Sequence, residues 1–307
     1  MPLVIATSVI RGSHQGDSHG GAFLLDFDAQ TARQVLDWNT LDIDWSGRGW
    51  DRGLRGVAMG EDEVLIAASD ELFVFDPEFR RIASYRCPYL RHCHEISRQG
   101  DMLFLTSTGF DCLLGFDLKR RIFRWGLALT ETGDRIRARV FDPTGTDGPA
   151  QGNTFHLNSI AVTDQGLFFS GLHTPGLLRY AEHCLSLHAS LPQGSHNARP
   201  FRDGVLFNDT PADVVRFVSP SRQRTFDVPR YPEDRLTHGA LDDSRIARQA
   251  FGRGLCPVSE GVVAAGSSPA TVSLHDIDAN RTTAVVTLSM DVRTAIHGLA
   301  IWTFDRP

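Results

Sequence analysis

The sequence has few cysteines, and they show none of the spacing that marks disulfide-rich or zinc-binding domains. Five cysteines are scattered along 307 residues, and no C-x-x-C pair occurs. Secreted domains stapled by disulfides use denser and more regular cysteines, so we expect reduced thiols and a cytoplasmic location. The apolar segment Leu3–Ile10 has no basic region before it and no small-residue cleavage site after it, so we expect no signal peptide.

Long apolar runs and a positive charge balance are also missing. A membrane helix needs about 20 consecutive apolar residues, and no run in the sequence approaches that length. Acidic residues outnumber basic ones by 37 to 31, which gives a formal net charge of −6, and the longest basic run is Lys119–Arg121. Nucleic acids and anionic membranes select positive surfaces. We therefore expect neither kind of partner.

Helical spacing of apolar residues is scarce, and a repeating pattern of short strands is present instead. A short strand, a polar turn, an apolar strand, a second turn and a strand with a polar end follow one another. The clearest copies begin at Arg55 and His94, and three more have second strands at Gly166–Gly171, Gly204–Asn208 and Gly261–Gly266. The pattern therefore predicts five complete copies.

The two chain ends resemble parts of a sixth copy. Ile296–Trp302 resembles a first strand with nothing after it, whereas Leu3–Trp38 contains apparent second, third and fourth strands without a first. Radial repetition of four-stranded sheets is the β-propeller arrangement, and pairing both termini in one sheet explains the two incomplete copies. A pair of β-sandwiches predicts no split copy. We predict an all-β fold: one six-bladed β-propeller domain over residues 1–307, closed by pairing of the N-terminal strands with the C-terminal strand.

Three stretches do not fit the repeat, namely residues 39–54, 126–154 and 229–252. Each lies between the fourth strand of one copy and the first strand of the next, and in a propeller these connections emerge on one face. Long loops gathered on one face usually carry function. We therefore expect three inserted loops on one face, called here the decorated face, and a functional site beneath them.

The residues that begin the innermost strands form the most informative pattern. Counting back from the turn that follows each first strand selects one residue per blade. In order around the channel these are His297, Arg55, His94, Asn158, His196 and Arg253. In the fourth of these blades, His156 lies two positions before Asn158 and on the same side of the strand. Because each residue begins an innermost strand, we expect a ring of imidazole and guanidinium groups at the channel mouth.

Four histidines in this ring predict a mononuclear metal centre, because imidazole is the commonest transition-metal ligand. The predicted ligands are His94, His156, His196 and His297. A ligand set without cysteine or carboxylate favours Fe(II), with Zn, Cu or Mn as alternatives, and disfavours Ca. Hydrogen bonding of the histidines to channel water is the alternative. His156 reaches the other rings only if its strand slips or bulges; otherwise Asn158 occupies the ring position.

The arginines of the ring predict an anionic substrate, because guanidinium groups in a channel mouth are costly unless they meet an anion. The predicted substrate-binding residues are Arg55, Arg253, Asn158 and Arg199. Residues predicted behind the ligands or at the rim are Glu95, His173, Asp111 and Asp209. The alternative is that the two ring arginines pair with aspartates of neighbouring loops, namely Asp51, Asp111 or Asp209.

The repeat pattern resembles six-bladed propellers of the NHL and YVTN type along essentially the whole chain. The histidine arrangement is similar to that of the carotenoid cleavage oxygenases, in which four histidines of inner strands hold Fe(II). It is also similar to that of peptidyl-hydroxyglycine α-amidating lyase, which has six blades, a channel zinc held by histidines and arginines nearby. The sequence motifs of these two enzyme families are not found here, so the similarity concerns architecture.

Together these patterns predict a metal-dependent enzyme, with an Fe(II) oxidoreductase or oxygenase acting on a small anionic substrate as the first hypothesis. A lyase or hydrolase in which zinc polarises the substrate or its water is the second hypothesis. The third is a propeller that binds a ligand or a protein partner without catalysis.

Overall fold

The computed structural model describes residues 1–14, 16–39, 53–133, 135–239 and 248–305. Short strands bounded by Gly, Asp and Asn turns make up most of these residues. In the first half of the chain the strands are β1 (Val4–Ile10), β2 (Gly20–Asp26), β3 (Thr31–Asp37), β4 (Val57–Met59), β5 (Val64–Ala68), β6 (Glu71–Phe75), β7 (Arg81–Arg86), β8 (Ile96–Gln99), β9 (Met102–Ser107), β10 (Cys112–Asp117), β11 (Ile122–Thr132) and β12 (Arg135–Phe141).

The second half continues the same pattern. Its strands are β13 (Leu157–Thr163), β14 (Gly166–Gly171), β15 (Gly176–Ala181), β16 (Cys184–Ser190), β17 (His196–Phe201), β18 (Gly204–Asp209), β19 (Val214–Val218), β20 (Gln223–Asp227), β21 (Leu255–Pro257), β22 (Val262–Ser267), β23 (Thr271–Asp276), β24 (Arg281–Thr287) and β25 (Thr294–Ile301). The described residues also include two single-turn 3₁₀ helices, Thr210–Ala212 and Glu233–Arg235. Among these residues, no helix has the length and apolar character that crossing a membrane requires.

The strands form six antiparallel sheets, which are the six blades. Blade one is β25-β1-β2-β3, blade two is β4 to β7, blade three is β8 to β12, and blades four, five and six are β13 to β16, β17 to β20 and β21 to β24. The innermost strands contact one another around the centre, β25 with β4, β4 with β8, β8 with β13, and β13 with β17. This arrangement confirms the predicted six-bladed propeller.

Blade one closes the ring. Strand β1 pairs with β2 on one side and with β25 on the other, with Val4 opposite Ile301 and Ser8 opposite Ile296. The C-terminal strand is thus the innermost strand of a sheet whose other three strands come from the N-terminus. Strand β25 thereby covers the inner edge of β1, so that both chain ends are held in one sheet. The predicted pairing of the two termini is confirmed.

One predicted loop differs from the structure. Residues 126–154 were expected to be a loop, but β11 continues to Thr132 and turns back as β12, which adds a fifth strand to blade three. The alternation in Arg135–Phe141 exposes its arginines and turns Ile136 and Ala138 inward. Charged residues on such an outer strand discourage edge-to-edge association. Most of the predicted loop 39–54 falls on residues 40–52, which lie outside the described residues. The predicted loop 229–252 is described except for residues 240–247, and its described part contains the 3₁₀ helix Glu233–Arg235 and no strand.

The core lies between neighbouring blades, where the faces of two sheets meet. Trp38 of blade one packs edge-on against Phe73 of blade two, with ring centroids 4.9 Å apart. Phe79 stacks on Trp302 near the C-terminus at 5.6 Å. These contacts anchor the chain ends to blade two and hold the innermost strands at fixed distances from the channel axis.

Candidate functional site at the channel mouth

The structure brings several predicted ring residues into contact at the channel mouth. The imidazole of His94 lies edge-on to that of His156, with ring centroids 5.3 Å apart, and 6.2 Å from that of His297. His297 in turn accepts a hydrogen bond at Nε2 from Nη1 of Arg253, at 3.2 Å. We call the group formed by His94, His156, His196, His297, Arg55 and Arg253 the channel ring.

Hydrogen bonds fix which nitrogen of His94 carries its proton. Nδ1 lies 2.7 Å from the carbonyl oxygen of His92 and 2.9 Å from the hydroxyl of Thr108. A carbonyl oxygen only accepts, and Thr108 already donates its hydroxyl proton to the carbonyl of Leu157. Nδ1 of His94 must therefore be the donor. In the neutral ring this leaves a lone pair on Nε2 for a ligand.

The same device holds His196 in blade five. Its Nδ1 lies 2.9 Å from the hydroxyl of Thr210, which donates its proton to the carbonyl oxygen of Gly252 at 3.1 Å. Nδ1 of His196 therefore donates, and Nε2 is the lone-pair nitrogen. This Nε2 atom is buried and has no hydrogen-bond partner. No group among the described residues donates a hydrogen bond to this basic nitrogen.

The two threonines were missed in the sequence, although a spacing signal marks them. Each lies fourteen residues after its histidine. The same count from the two ring arginines also reaches hydroxyl residues, Ser69 and Ser267. In each of these blades the hydroxyl residue lies at the end of the second strand, beside the first residue of the innermost strand. The repeat therefore places a hydroxyl group where it can accept a hydrogen bond from a ring histidine.

His156 lies outside the strand and beside the ring. It precedes β13, has a positive φ of 51°, and is followed by a register shift between Leu157 and Ser159. The slip or bulge through which His156 was expected to reach the other rings is therefore present at the start of β13. Asn158 occupies the counted ring position, is 2% exposed, and donates from Nδ2 to the carbonyl of Ser195 at 3.1 Å.

Asp111 is a positioning residue for the segment that carries His156. Its carboxylate accepts hydrogen bonds from the backbone N–H groups of Phe155 at 3.0 Å and His156 at 3.2 Å, and from Thr154. Burial raises the pKa of Asp111, and these three donors act in the opposite direction. A carboxylate behind the loop thus holds His156 against His94.

The ring keeps its imidazoles neutral. Burial lowers the pKa of His156 to about 4, and the positive charge of Arg253 adds to this shift. Burial also lowers the pKa values of His196 and His297 well below the usual range, with Arg253 and Arg55 as the next causes, respectively. Neutral imidazoles beside guanidinium groups are poor acids and available bases.

A further arginine and a phenylalanine complete the positive side of the site. The guanidinium carbons of Arg11, Arg248 and Arg253 lie 5.0, 5.1 and 4.9 Å from the centre of the Phe251 ring. Burial, together with the charges of Arg55 and Arg248, lowers the pKa of Arg11 to about 10. Sequence reasoning missed Phe251, which lies two positions before Arg253 just as His156 lies two before Asn158. Arg11 directly follows β1 and had no such signal.

Two predicted residues, Glu95 and Arg199, pair with each other instead of facing a substrate. Their side chains form a buried ion pair at 2.6 Å. Glu95 also accepts from the backbone N–H of Ile160 at 3.0 Å and from Nδ2 of Asn197 at 3.3 Å, while Oδ1 of Asn197 accepts from the N–H of Gly254 at 2.9 Å. Burial raises the pKa of Glu95, and Arg199 opposes that shift. This network, called here the Glu95 network, joins blades three, four, five and six.

The remaining predicted rim residues differ in position. Asp209 forms an ion pair with Arg216 at 2.7 Å within blade five. His173 lies at the rim, where its Nδ1 is 3.4 Å from Nε2 of Gln193, and its charge affects the pKa values of His156 and Asp111. Asp51, predicted as an alternative partner of the arginines, lies outside the described residues.

Among residues 1–14, 16–39, 53–133, 135–239 and 248–305, no group of three or more His, Cys, Asp or Glu residues is placed to hold a metal ion. The Nε2 lone pair of His297 meets Arg253, and a cation bound there would face that guanidinium.

No family model matches the sequence, and no curated protein matches it either. Solved structures match along most of the chain. One from a nidogen/laminin complex has a TM-score of 0.59 at 11% identity and covers 98% of this chain and 97% of its own. A Bacteroides caccae protein of unknown function has a TM-score of 0.58 at 10% identity, with 99% and 100% covered.

A streptogramin B lyase structure also matches, with a TM-score of 0.50 at 13% identity, covering 78% of this chain and 84% of the lyase. Identities this low show the fold alone. The fold and its neighbours agree with the resemblance drawn from the repeat. The chain has the fold of a six-bladed β-propeller.

Proposed function

We propose that the channel ring binds the anionic group of a small-molecule substrate and that the protein is a lyase or isomerase which moves a proton on that substrate. The observation that carries the proposal is the 3.2 Å contact between Arg253 and His297. In this contact a guanidinium cation donates to a neutral base at the channel mouth. A carboxylate, sulfate or phosphate beside this pair would gain charge-assisted hydrogen bonds from it.

The surroundings of Arg253 support an anion over a neutral ligand. Arg11 and Arg248 share the Phe251 ring with it. The pKa of Arg11 is lowered first by burial and then by repulsion from the charges of Arg55 and Arg248. A bound anion would relieve that repulsion and would raise the pKa of Arg11 towards its ordinary value. Arg55 contributes to the same field, since its charge lowers the pKa values of both Arg11 and His297.

His94 is the proton acceptor in this proposal. Its Nδ1 donates to His92 and Thr108, so the lone pair of the neutral ring is on Nε2. Nε2 would take a proton, as general base, from the carbon adjacent to an anion held by the arginines. The imidazolium would then return this proton to another carbon of the substrate in an isomerase, or give it to the group that leaves the neighbouring carbon in a lyase. The arginines would stabilise the negative charge that builds up on the bound group. The streptogramin B lyase neighbour indicates that the fold is compatible with lyase chemistry.

Ligand-dependent thermal unfolding tests the proposal on the whole protein. A panel of small carboxylates, phosphate esters and sulfate is added to wild type, Arg253→Met and the surface variant Arg81→Met. We expect at least one anion class to raise the melting temperature of wild type and Arg81→Met but not of Arg253→Met. Anions that bind are then assayed for turnover, where His94→Gln should retain binding and lose activity. A panel without any stabilising anion contradicts the proposal.

Metal dependence is a second candidate, favoured by one observation. The His94 and His156 rings lie 5.3 Å apart, a separation at which two imidazoles can share a metal ion. In that case Fe(II) is the first candidate and Zn the second, and the substrate anion would complete the ligand set. Elemental analysis of protein purified without a histidine tag separates the two candidates: a stoichiometric metal that is lost in His94→Gln supports the metal-dependent enzyme.

We also propose that the protein works in a reducing compartment, as expected for the cytoplasm. All five cysteines are free thiols, and four of them are buried. Alkylation of the denatured protein with and without prior reduction, followed by mass spectrometry, should give the same five modified thiols. A cysteine pair that reacts only after reduction contradicts this assignment.

A further inference from the structure

Two buried acceptor atoms at the channel mouth have no donor among the residues that the structure describes. They are Oδ1 of Asn158 and Nε2 of His196, and neither has a hydrogen-bond partner. The residues are only 2% and 4% exposed, respectively. Almost all buried polar atoms in folded proteins are hydrogen-bonded, so a pair of buried acceptors within one candidate site indicates that something else supplies the protons.

The hydrogen bonds on the other side of each group confirm that these atoms are acceptors. The amide of Asn158 donates from Nδ2 to the carbonyl of Ser195, which fixes its oxygen on the opposite side. The imidazole of His196 donates from Nδ1 to Thr210, which leaves a lone pair on Nε2. Rotating the amide would bring its oxygen against the carbonyl oxygen of Ser195, and rotating the imidazole would replace Nδ1 by a carbon atom at Thr210.

The two acceptors lie in the same sector of the ring. Ser195, which receives the Asn158 amide, is the residue immediately before His196, so the side chain of Asn158 crosses from blade four to the start of β17. His196 also belongs to the electrostatic field of the ring, because the charges of Arg253 and His156 lower its pKa further. The His196 ring lies 5.6 Å from the Phe251 ring, and the guanidinium carbon of Arg253 lies 4.9 Å from the centre of the same ring. A ligand held by Arg253 is therefore close enough for a second group to reach this sector.

The charge of the site selects the kind of donor. An ammonium group could donate to both acceptors, but it would face the guanidinium of Arg253 in a region where positive charges already repel one another. A neutral hydroxyl has one proton to donate and carries no such charge. It can donate to one acceptor, with water or a second hydroxyl donating to the other.

We propose that the ligand of the channel ring is a hydroxylated anion: its carboxylate or phosphate lies against Arg253 and Arg55, and its hydroxyl donates to His196 or Asn158. This inference rests on the proposed function and names the substrate class. A ligand with the anion but without the hydroxyl leaves buried acceptors unsatisfied, and sites built to bind a hydroxyl reject such analogues strongly.

Calorimetric titration with matched ligands tests this inference. Malate, succinate and aspartate are dicarboxylates of one length that differ in carrying a hydroxyl, a hydrogen or an ammonium group. Lactate, propionate and alanine form the equivalent monocarboxylate set. In at least one set we expect the hydroxy acid to bind wild type about tenfold or more tightly than the other two members.

Asn158→Leu should reduce the preference for the hydroxy acid and leave the affinity for the plain acid nearly unchanged. Asn153→Leu, which makes the same chemical change at an exposed position of the preceding connection, should keep the wild-type preference. Because the ligand comparison is made on the unmodified protein, it remains decisive even if Asn158→Leu does not fold.

The outcomes separate this inference from the proposed function. Equal binding of hydroxy acid and plain acid overturns the hydroxyl assignment while anion binding stands. Tightest binding of aspartate or alanine also overturns it, in favour of an ammonium group. If no member of either set binds, the hydroxyl assignment fails, and the anion site fails with it only when the phosphate esters and sulfate of the thermal-unfolding panel also leave the melting temperature unchanged. If Arg253→Met binds the ligands as wild type does, the hydroxyl assignment and the anion site both fail.

Discussion

At the scale of single residues, hydroxyl groups fix the proton position of two histidines of the channel ring, His94 and His196. Thr108 and Thr210 each accept from Nδ1 of a ring histidine and donate to a backbone carbonyl of the next blade. The hydroxyl therefore couples the tautomer of the histidine to the packing of two blades. Neutral imidazoles with inward lone pairs follow directly from this arrangement, without any carboxylate partner.

Removing one hydroxyl tests this coupling. Thr210→Val should destabilise the protein by about 1–2 kcal/mol, because the Gly252 carbonyl and Nδ1 of His196 lose their partner. Thr210→Ser keeps the hydroxyl and should cost less. Urea unfolding measures the free energies, and nitrogen chemical shifts of His196 report the tautomer. A Thr210→Val protein that keeps both the wild-type stability and the Nδ1–H tautomer contradicts the assignment.

At the same scale, the sequence predicted which residues begin the innermost strands but not all that they touch. Counting from the turns selected Asn158 and the histidines and arginines of the ring, because the repeat places one residue per blade at the mouth. Arg11 follows a strand of a different position in its blade, so no count within the repeat reaches it. Glu95 and Arg199 were assigned to the site from their sequence neighbourhood, whereas their side chains pair between innermost strands.

At the scale of elements, the blades are joined near the axis by polar contacts as well as by apolar packing. The Glu95 network connects the innermost strands of blades three to five with Gly254 before β21. A buried ion pair of this kind contributes little as a whole, but removing one partner leaves an uncompensated charge. The polar contacts between the inner parts of four blades therefore depend on the carboxylate of Glu95.

Glu95→Ala should lower the free energy of unfolding by about 3–5 kcal/mol, because Arg199 is then buried without its carboxylate. The matched control is Asp278→Ala, which removes the exposed partner of Arg202 and Arg222 and should lower the free energy of unfolding much less, because water screens exposed ion pairs. Denaturant unfolding of the two variants beside wild type measures both values. Equal decreases in the free energy of unfolding of the two variants would contradict the predicted contribution of the buried network.

The strands themselves were largely predictable from the sequence, and the one difference has a physical reason. Apolar strands bounded by turns repeat in every blade, and this repetition compensates for the weakness of each single strand signal. Strand β12 occurs once and carries alternating arginines on an outer edge, so no other blade supports its assignment. Period-two alternation in Arg135–Phe141 was the available signal.

At the scale of the whole molecule, the ring is closed by strand pairing between the chain ends. Strand β25 supplies both the innermost strand of blade one and His297 of the channel ring. A chain that ends at Arg293 lacks this strand, so it exposes an edge of β1 and should lose its cooperative thermal transition. A chain that ends at Asp305 retains β25 and Trp302 and should unfold as the full chain does. A cooperative transition at the wild-type temperature in the shorter chain contradicts closure.

The buried histidines make stability depend on pH in a defined direction. The pKa values of His156 and His275 are lowered to about 4 by burial, so between pH 6.5 and 4 the unfolded chain binds protons that the native state does not. The free energy of unfolding should therefore fall as the pH falls through this window.

His156→Gln should reduce the number of protons taken up on unfolding by up to about one per molecule between pH 6.5 and 4. The exposed control His183→Gln should not change this number. Urea unfolding at a series of pH values gives the uptake from the slope of the free energy. A wild-type protein whose stability is flat or rises on acidification to pH 4 contradicts the neutral state of the ring.

A crystal structure grown with selenate tests the central claim most directly, because selenium marks a bound oxyanion by its anomalous scattering. The account predicts an anomalous peak at the channel mouth, within hydrogen-bond distance of Arg253 and beside Arg55 or Arg11, and no such peak in crystals of Arg253→Met. A map in which selenate lies only at the outer surface of the blades, with the channel ring free of it, would contradict the assignment of this ring as an anion site.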